Sequence, residues 1–183
     1  MAERSDFRLH TGDPAPDYAL LGVDGATHRL HDADGQPYLL VVFWCNHCPY
    51  VQAWEGRLVD LGRRFGARGV RFVLINSNDT DAYPDDRFER MQARAKEKGY
   101  PFPYLQDASQ DVARSFGALV TPHAFLFGPD RRLLFQGRID DNHSDPGAVR
   151  HRYLEEALEA VLAGRPVPTP ELSVLGCSVK WRS

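Results

Sequence analysis

The chain has 183 residues, 43% hydrophobic and 26% charged, with a formal net charge of −3. That is enough apolar material for one core, and it suits one domain better than two. Lysine and arginine are spread along the chain, which excludes the basic stripe of a nucleic-acid binder and the polybasic patch of a membrane-surface protein.

The longest apolar run, Tyr38 to Trp44, is far shorter than the roughly 18 residues that span a bilayer. The charged start, Met1 to Arg8, is not followed by the apolar stretch of a signal peptide. The expected location is therefore cytoplasmic. In chain order, a Pro- and Gly-rich arm (Gly12 to Asp17) leads to two short strands, Tyr18–Leu21 and Thr27–Leu30, around the turn signal Asp24-Gly25. Tyr38–Trp44, rich in β-branched and aromatic residues, reads as a central strand buried on both faces. A helix follows. Pro49 suits its first position, where a missing N–H costs nothing, and Val51, Trp54, Leu58, Leu61 and Phe65 form one apolar stripe.

Gly66 and Gly69 end that helix, and Val70–Asn76 reads as the next strand. A polar surface helix is predicted over Pro84–Lys98 and a shorter one over Ser109–Phe116, with the connection Pro101-Phe-Pro103 between them. Ala124–Phe127 and Arg132–Ile139 read as a hairpin around Gly128-Pro-Asp130. The last helix starts near Asp145-Pro146, buries Val149, Leu154, Leu158 and Val161, and stops at Gly164. The expected architecture is α/β: a mixed sheet flanked by helices on both faces, preceded by an N-terminal hairpin extension. Residues 1–164 form the expected domain, with 1–37 as its arm and hairpin, and 165–183 an extended C-terminal tail.

The chemistry concentrates in Cys45-Asn46-His47-Cys48-Pro49. Thiol–disulfide exchange needs a thiolate near neutral pH and a second thiol within reach. A strand end followed by a helix N-terminus favours the anion through unpaired N–H groups and the helix dipole. His47, when protonated, adds to this. The bland alternatives are two buried cysteines without chemistry, or half of a zinc site with His47 as a third ligand. A structural zinc site needs four protein ligands, and the third cysteine, Cys177, is remote in sequence, so no metal and no cofactor is expected.

The run Val41 to Tyr50 resembles the active-site region of the thioredoxin superfamily. The arm Gly12 to Asp17 with Asp24-Gly25 resembles the leading arm of peroxiredoxins and of thioredoxin-like membrane-anchored reductases. Cys45 to Val51, together with the tail Gly176-Cys-Ser-Val-Lys-Trp181, is similar to a bacterial group of peroxiredoxin-like thioredoxin-family proteins. This resemblance covers nearly the whole chain. It implies a thioredoxin-like fold and a cis peptide at Thr121-Pro122, with Pro122 packed on the cysteines and Thr121 offering backbone groups to a substrate strand.

Two departures from the family pattern matter. Cys45 follows Trp44 directly, so an ungapped alignment puts Cys48 in the nucleophile's place, whereas alignment on the motif puts Cys45 there. The N-cap position of Cys48 favours Cys48. The hydroxyl that peroxiredoxins place three residues before the peroxidatic cysteine is missing in both registers, where Cys45 and Val42 stand instead. An arginine for that chemistry would come from Arg114 or Arg138.

The expected function is thus a thiol–disulfide oxidoreductase exchanging a Cys45/Cys48 pair with protein or small-molecule disulfides, supported by a reducing or oxidising thiol partner. The alternatives are a thiol-dependent peroxidase and a non-catalytic binding module. Asn46, His47, Pro49, Thr121 and Pro122 are expected to line the site. Cys177 is a possible third redox cysteine, on a tail expected to dock as an edge strand. No acid lies in the strand 38–44, so proton transfer is assigned to His47 or water. His123 is expected in a partly exposed loop, Asn76 and Asn78 near the cysteine loop or in Asx turns, and Asp140, Asp141 and Asn142 in a solvated loop.

Overall fold

The protein is described from a computed structural model covering residues 2–183. Among the described residues, nine strands and four α-helices follow one another: β1 (Ala19–Gly22), β2 (Thr27–Arg29), β3 (Tyr38–Phe43), α1 (Pro49–Gly66), β4 (Val70–Asn76), α2 (Phe88–Glu97), β5 (Tyr104–Gln106), α3 (Asp111–Phe116), β6 (Val120–Thr121), β7 (His123–Phe127), β8 (Leu133–Gly137), α4 (Tyr153–Leu162) and β9 (Cys177–Ser178). Seven of the strands form one sheet in the order β2-β1-β5-β4-β3-β7-β8, while β6 and β9 pair by themselves.

β3 lies inside the sheet, next to its middle strand β4, parallel to β4 and antiparallel to β7. Its alternating side chains feed two cores. Leu40, Val42 and Trp44 join Trp54, Leu58 and Phe65 of α1 and Leu154 and Leu158 of α4 on one face. Leu39, Val41 and Phe43 join Val112, Phe116, Phe125 and Phe127 on the other. Burial on both faces is why the run from 38 to 44 shows no alternation of polar residues. The parallel step from β3 to β4 is bridged by α1, which places the N-terminus of α1 at the C-terminal end of β3.

Four elements depart from the sequence reading. The helix expected over 84–98 is split: a 3-10 turn, Pro84–Asp86, precedes α2, and Arg87 between them is extended at φ −61° and ψ 153°. The break turns the Asp86 side chain inward, where it is fully buried. The helix expected from Asp145 begins only at Tyr153. Asp145 instead caps a 3-10 turn over Pro146–Ala148 by accepting from Gly147 N, and Val149 is left half-buried outside any helix. β5 and β6 were not anticipated. β5, of three residues, is held by pairing with β4 on one side and β1 on the other. A strand that short carries no periodicity of its own.

The tail after Gly164 crosses the body and is tied down along its length. Gln136 N donates to Pro170 O at 2.9 Å, Val174 pairs with Arg4, and Cys177 pairs with Thr121. Further on, Asp79 N donates to Lys180 O at 2.8 Å, and Arg114 lies over the Trp181 ring at 4.5 Å. Its own Val174, Gly176 and Val179 are buried. The tail therefore docks as an edge strand, as its sequence suggests.

Candidate active site

Two loops meet at the C-terminal end of β3. The first carries Cys45 to Cys48 into α1. Cys48 is the N-cap residue, extended at φ −69° and ψ 125°, and Pro49 takes the first helical position. The second carries Thr121 and Pro122, joined by a cis peptide bond, from β6 into β7. Thr121 reaches both cysteines: its Oγ1 is 3.3 Å from Cys45 Sγ, and its carbonyl oxygen is 3.3 Å from Cys48 Sγ, which donates to it as a thiol. β9 brings the third cysteine. Thr121 and Cys177 are partners in the antiparallel pair of β6 with β9, and the Cys177 side chain packs against the core cluster that holds Cys45 and Cys48.

The three thiols are not equivalent. Hydrogen bonds hold Cys48 as the anion, pulling its pKa down to about 5, with Cys45 the largest contributor. The Cys177 thiol and the backbone N–H groups of Val51 and Cys177 add to that effect, against the opposing cost of burial. Cys45 is pushed the other way, well above its ordinary value, because its proton is held in the bond to Cys48 and because it is buried. Burial, followed by the bond to Cys48, raises Cys177 to about 12. Of the three, Cys48 is thus the cysteine whose surroundings favour the anion, and it stands at a helix start.

The loop is held by an acid that lies outside the strand before the cysteines. Asp86 accepts from Asn46 N at 2.7 Å, Asn76 Nδ2 at 3.2 Å, Asn78 Nδ2 at 2.9 Å and His47 Nδ1 at 2.5 Å. With three of its partners obligatory N–H donors, the carboxylate is an acceptor throughout, so Nδ1 of His47 carries the proton. His47 stacks on Tyr83 at 5.3 Å between ring centroids. Asn46 is fixed at its other end by Tyr104 OH, which donates to its Oδ1 at 2.9 Å. A second buried acid, Glu55, binds Arg94 and accepts from Tyr100 OH at 2.6 Å, and Tyr100 OH accepts in turn from Trp44 Nε1 at 3.1 Å. Neither acid lies in the strand before the cysteines: Glu55 sits on α1 and Asp86 in the turn before α2, which is why neither announced itself.

Asn46 and His47 stand between the cysteines, Thr121 touches both, Pro122 follows it through the cis bond, and Pro49 starts the helix with its own side chain exposed. Asn76 and Asn78 serve both readings at once, since Asn78 N also donates to Asn76 Oδ1 at 3.1 Å in a local turn. His123 does not lie in an exposed loop. It is fully buried in β7, stacked on Phe125 at 4.1 Å, and burial holds its pKa near about 3. Asp140 is not solvated either: it accepts from Trp54 Nε1 at 2.8 Å and Arg57 Nη1 at 2.5 Å. Arg138 is engaged with Glu3 at 2.6 Å, and Arg114 with Trp181, so both candidate arginines have other partners.

Cys45 Sγ, a ring nitrogen of His47 and a carboxylate oxygen of Asp86 lie within 4.8 Å of one another. These are donor types a transition metal accepts. An ion there would have to replace the His47–Asp86 hydrogen bond and ionise a thiol whose pKa is raised.

A central mixed sheet, a pair of cysteines at a helix start and a cis-proline loop beside it define a thioredoxin-superfamily protein of peroxiredoxin-like kind. Residues 11–136 match the model of the AhpC/TSA family, more than half of the chain, and the chain belongs to that family. A crystal structure of an uncharacterized conserved protein from Geobacillus kaustophilus is 40% identical, with a TM-score of 0.92, covering 99% of this chain and 96% of that one. A hypothetical protein from Sinorhizobium meliloti is 37% identical, with a TM-score of 0.90, over 99% and 98% of the two chains. Among curated relatives, the thiol-disulfide oxidoreductase ResA of Bacillus thuringiensis is 19% identical over 129 residues, 69% of each chain.

Proposed function

We propose that the protein exchanges a Cys45/Cys48 dithiol with disulfides, Cys48 attacking and Cys45 resolving. The observation that carries this is the position of Cys48 at the N-cap of α1, where its pKa is drawn down, with Cys45, whose pKa is raised, sharing Thr121 beside it. Cys48 attacks a sulfur of the substrate disulfide, forming a mixed disulfide and releasing one thiol. Cys45 then attacks Cys48, the Cys45–Cys48 bond forms, and the second substrate thiol leaves with the proton that Cys45 gives up. Relatedness to proteins named thiol-disulfide oxidoreductases supports this reading. The substrate class is a protein or small-molecule disulfide, and a second thiol partner returns the pair to its starting state. The location proposed is cytoplasmic.

The test is trapping with a disulfide-bearing peptide. With Cys177 also replaced, Cys45→Ser is expected to accumulate a mixed disulfide through Cys48, and Cys48→Ser none. A stable adduct through Cys45 and none through Cys48 would reverse the two roles, and no adduct in either variant would remove the exchange activity altogether.

Peroxide reduction is a second reading, favoured by membership of the AhpC/TSA family. The hydroxyl absent from the local sequence is supplied across the fold by Thr121, although it faces Cys45 and not Cys48. Peroxide consumption coupled to a dithiol reductant, faster than insulin-type disulfide reduction, would make this the leading activity.

A further inference from the structure

The thiolate described above is covered. Cys45 and Cys48 are both 0% exposed, and the partly exposed member of the trio is Cys177. What covers them is β9, lying along β6. That two-residue edge is the natural docking place for an extended disulfide-bearing chain, because Thr121 touches both cysteines and a strand added there would pass over Cys48. The protein's own tail fills this edge, and the tail presents a cysteine to Cys48.

The approach is built to be close. A Cβ added at Gly176 would lie 2.2 Å from the carbonyl oxygen of Thr121 and 2.8 Å from its carbonyl carbon, so only glycine lets the strand settle at this depth. The next residues are anchored independently of any cysteine: Lys180 N donates to Asn78 Oδ1 at 2.9 Å, and Gln110 Nε2 donates to Lys180 O at 2.8 Å. Asn78 in turn binds Asp86, which holds the cysteine loop. The tail and the loop are parts of one network. Cys177 lies beyond the residues that match the family model, so its placement is read from this fold alone.

We propose that β9 is a built-in substitute for a substrate strand and that Cys177 is a third redox cysteine, exchanging the disulfide of the buried pair onto a Cys48–Cys177 bond. The proposal rests on the thiol-exchange reading above. The step starts from the Cys45–Cys48 disulfide. Cys177 Sγ attacks Cys48 Sγ; the Cys48–Cys177 bond forms, and the Cys45–Cys48 bond breaks. Its electron pair leaves on Cys45, which takes the proton that Cys177 gives up. No net oxidation occurs, so the only oxidant is the substrate disulfide that made the first bond. The exchange moves the disulfide from two fully buried sulfurs to a pair with one partly exposed member, and it fastens β9 over the site. While Cys177 is a free thiol, β9 is held by non-covalent contacts alone, and a partner strand can compete for β6.

The test is disulfide mapping of the full chain after equilibration in a glutathione buffer, with iodoacetamide labelling of the reduced protein alongside. Wild type is expected to show both a Cys45–Cys48 and a Cys48–Cys177 linkage, and Cys45→Ser only the latter. Gly176→Ala, which pushes β9 off β6, is expected to lose the Cys48–Cys177 linkage, keep Cys45–Cys48, and label at Cys48 at least tenfold faster. A Cys45→Ser protein carrying glutathione on Cys48 with no link to Cys177 would overturn the proposal. So would a Gly176→Ala protein that labels and cross-links like wild type. Failure of the underlying activity reads differently: in that case Cys177→Ser would form no Cys45–Cys48 disulfide either.

Discussion

Cys48 owes its character to donors that arrive from three places. Cys45 is three residues before it, Val51 is in the first turn of α1, and Cys177 comes from the far end of the chain. Hydrogen bonds to an ion are stronger than those between neutral groups, and each pKa unit corresponds to about 1.4 kcal/mol. The thiolate absorbance of the reduced protein is expected to titrate near about pH 5 and to vanish in Cys48→Ser. Replacing Cys177 by Ala removes one thiol donor and is expected to raise the midpoint by roughly one unit. An unchanged midpoint would show that Cys177 contributes nothing to the anion. Position alone predicted that Cys48 would feel the helix start; the two thiol donors depend on the fold.

At the scale of elements, α1 is anchored at both ends of its first half. Its N-terminus carries the cysteine loop, and one turn later Trp54 and Arg57 bind Asp140 in the segment after β8. Arg57 also donates to the carbonyl oxygens of Asn142 and His143 at 2.7 and 2.9 Å. Asp140 is 3% exposed, so its loss leaves Arg57 without its counter-charge and the indole N–H of Trp54 without an acceptor. Breaking a buried ion pair by removing one partner costs about 3 kcal/mol. Asp140→Ala is expected to lower the urea midpoint accordingly at an unchanged denaturant slope. A loss below about 0.5 kcal/mol would place the pair in the range of solvent-exposed salt bridges. The sequence reading had these acids in a solvated loop, because a run of Asp140, Asp141 and Asn142 looks the same whether or not an arginine from a distant helix reaches it. The split between the 3-10 turn at Pro84–Asp86 and α2 has a similar origin: helix propensity favours continuity, and a buried hydrogen-bond network overrides it at Arg87.

For the molecule as a whole, the shifted groups set how stability depends on pH. His123 is neutral in the fold, with its pKa lowered from 6.5 to about 3 by burial. Between those values the unfolded chain binds the extra proton, so stability rises with pH and is lost on acidification. Cys48, lowered from 9.0 to about 5, acts in the same direction over its own window. Cys177, raised from 9.0 to about 12, acts oppositely: below pH 9 its contribution is complete, and it falls away as pH rises beyond that. Cys45, also raised, adds to that decline. Reduced protein is therefore expected to gain stability from pH 6 to pH 8.5 in urea unfolding and to lose it above about 9. Once Cys45 and Cys48 are joined, the contribution of Cys48 disappears and the slope between 7 and 8.5 flattens. The same slope in both redox states would show that the thiolate is not what sets it.

The sequence by itself determined what is local. The central strand, the proline-started helix, the pair of cysteines between them and the hairpins all follow from periodicity, caps and turn residues, which act within about four positions along the chain. That was enough to single out Cys45 and Cys48 as the candidate redox pair and to favour the second of them as nucleophile. Tertiary structure alone decided what surrounds the pair. Asp86 is 39 residues from His47, and Thr121 is 76 from Cys45 and 73 from Cys48. Cys177 reaches them only because β9 lies on β6. Contacts of that span leave no period in the sequence, since they depend on where separate elements cross. They give the thiolate its donors, hold its loop and put a strand of the same chain over it.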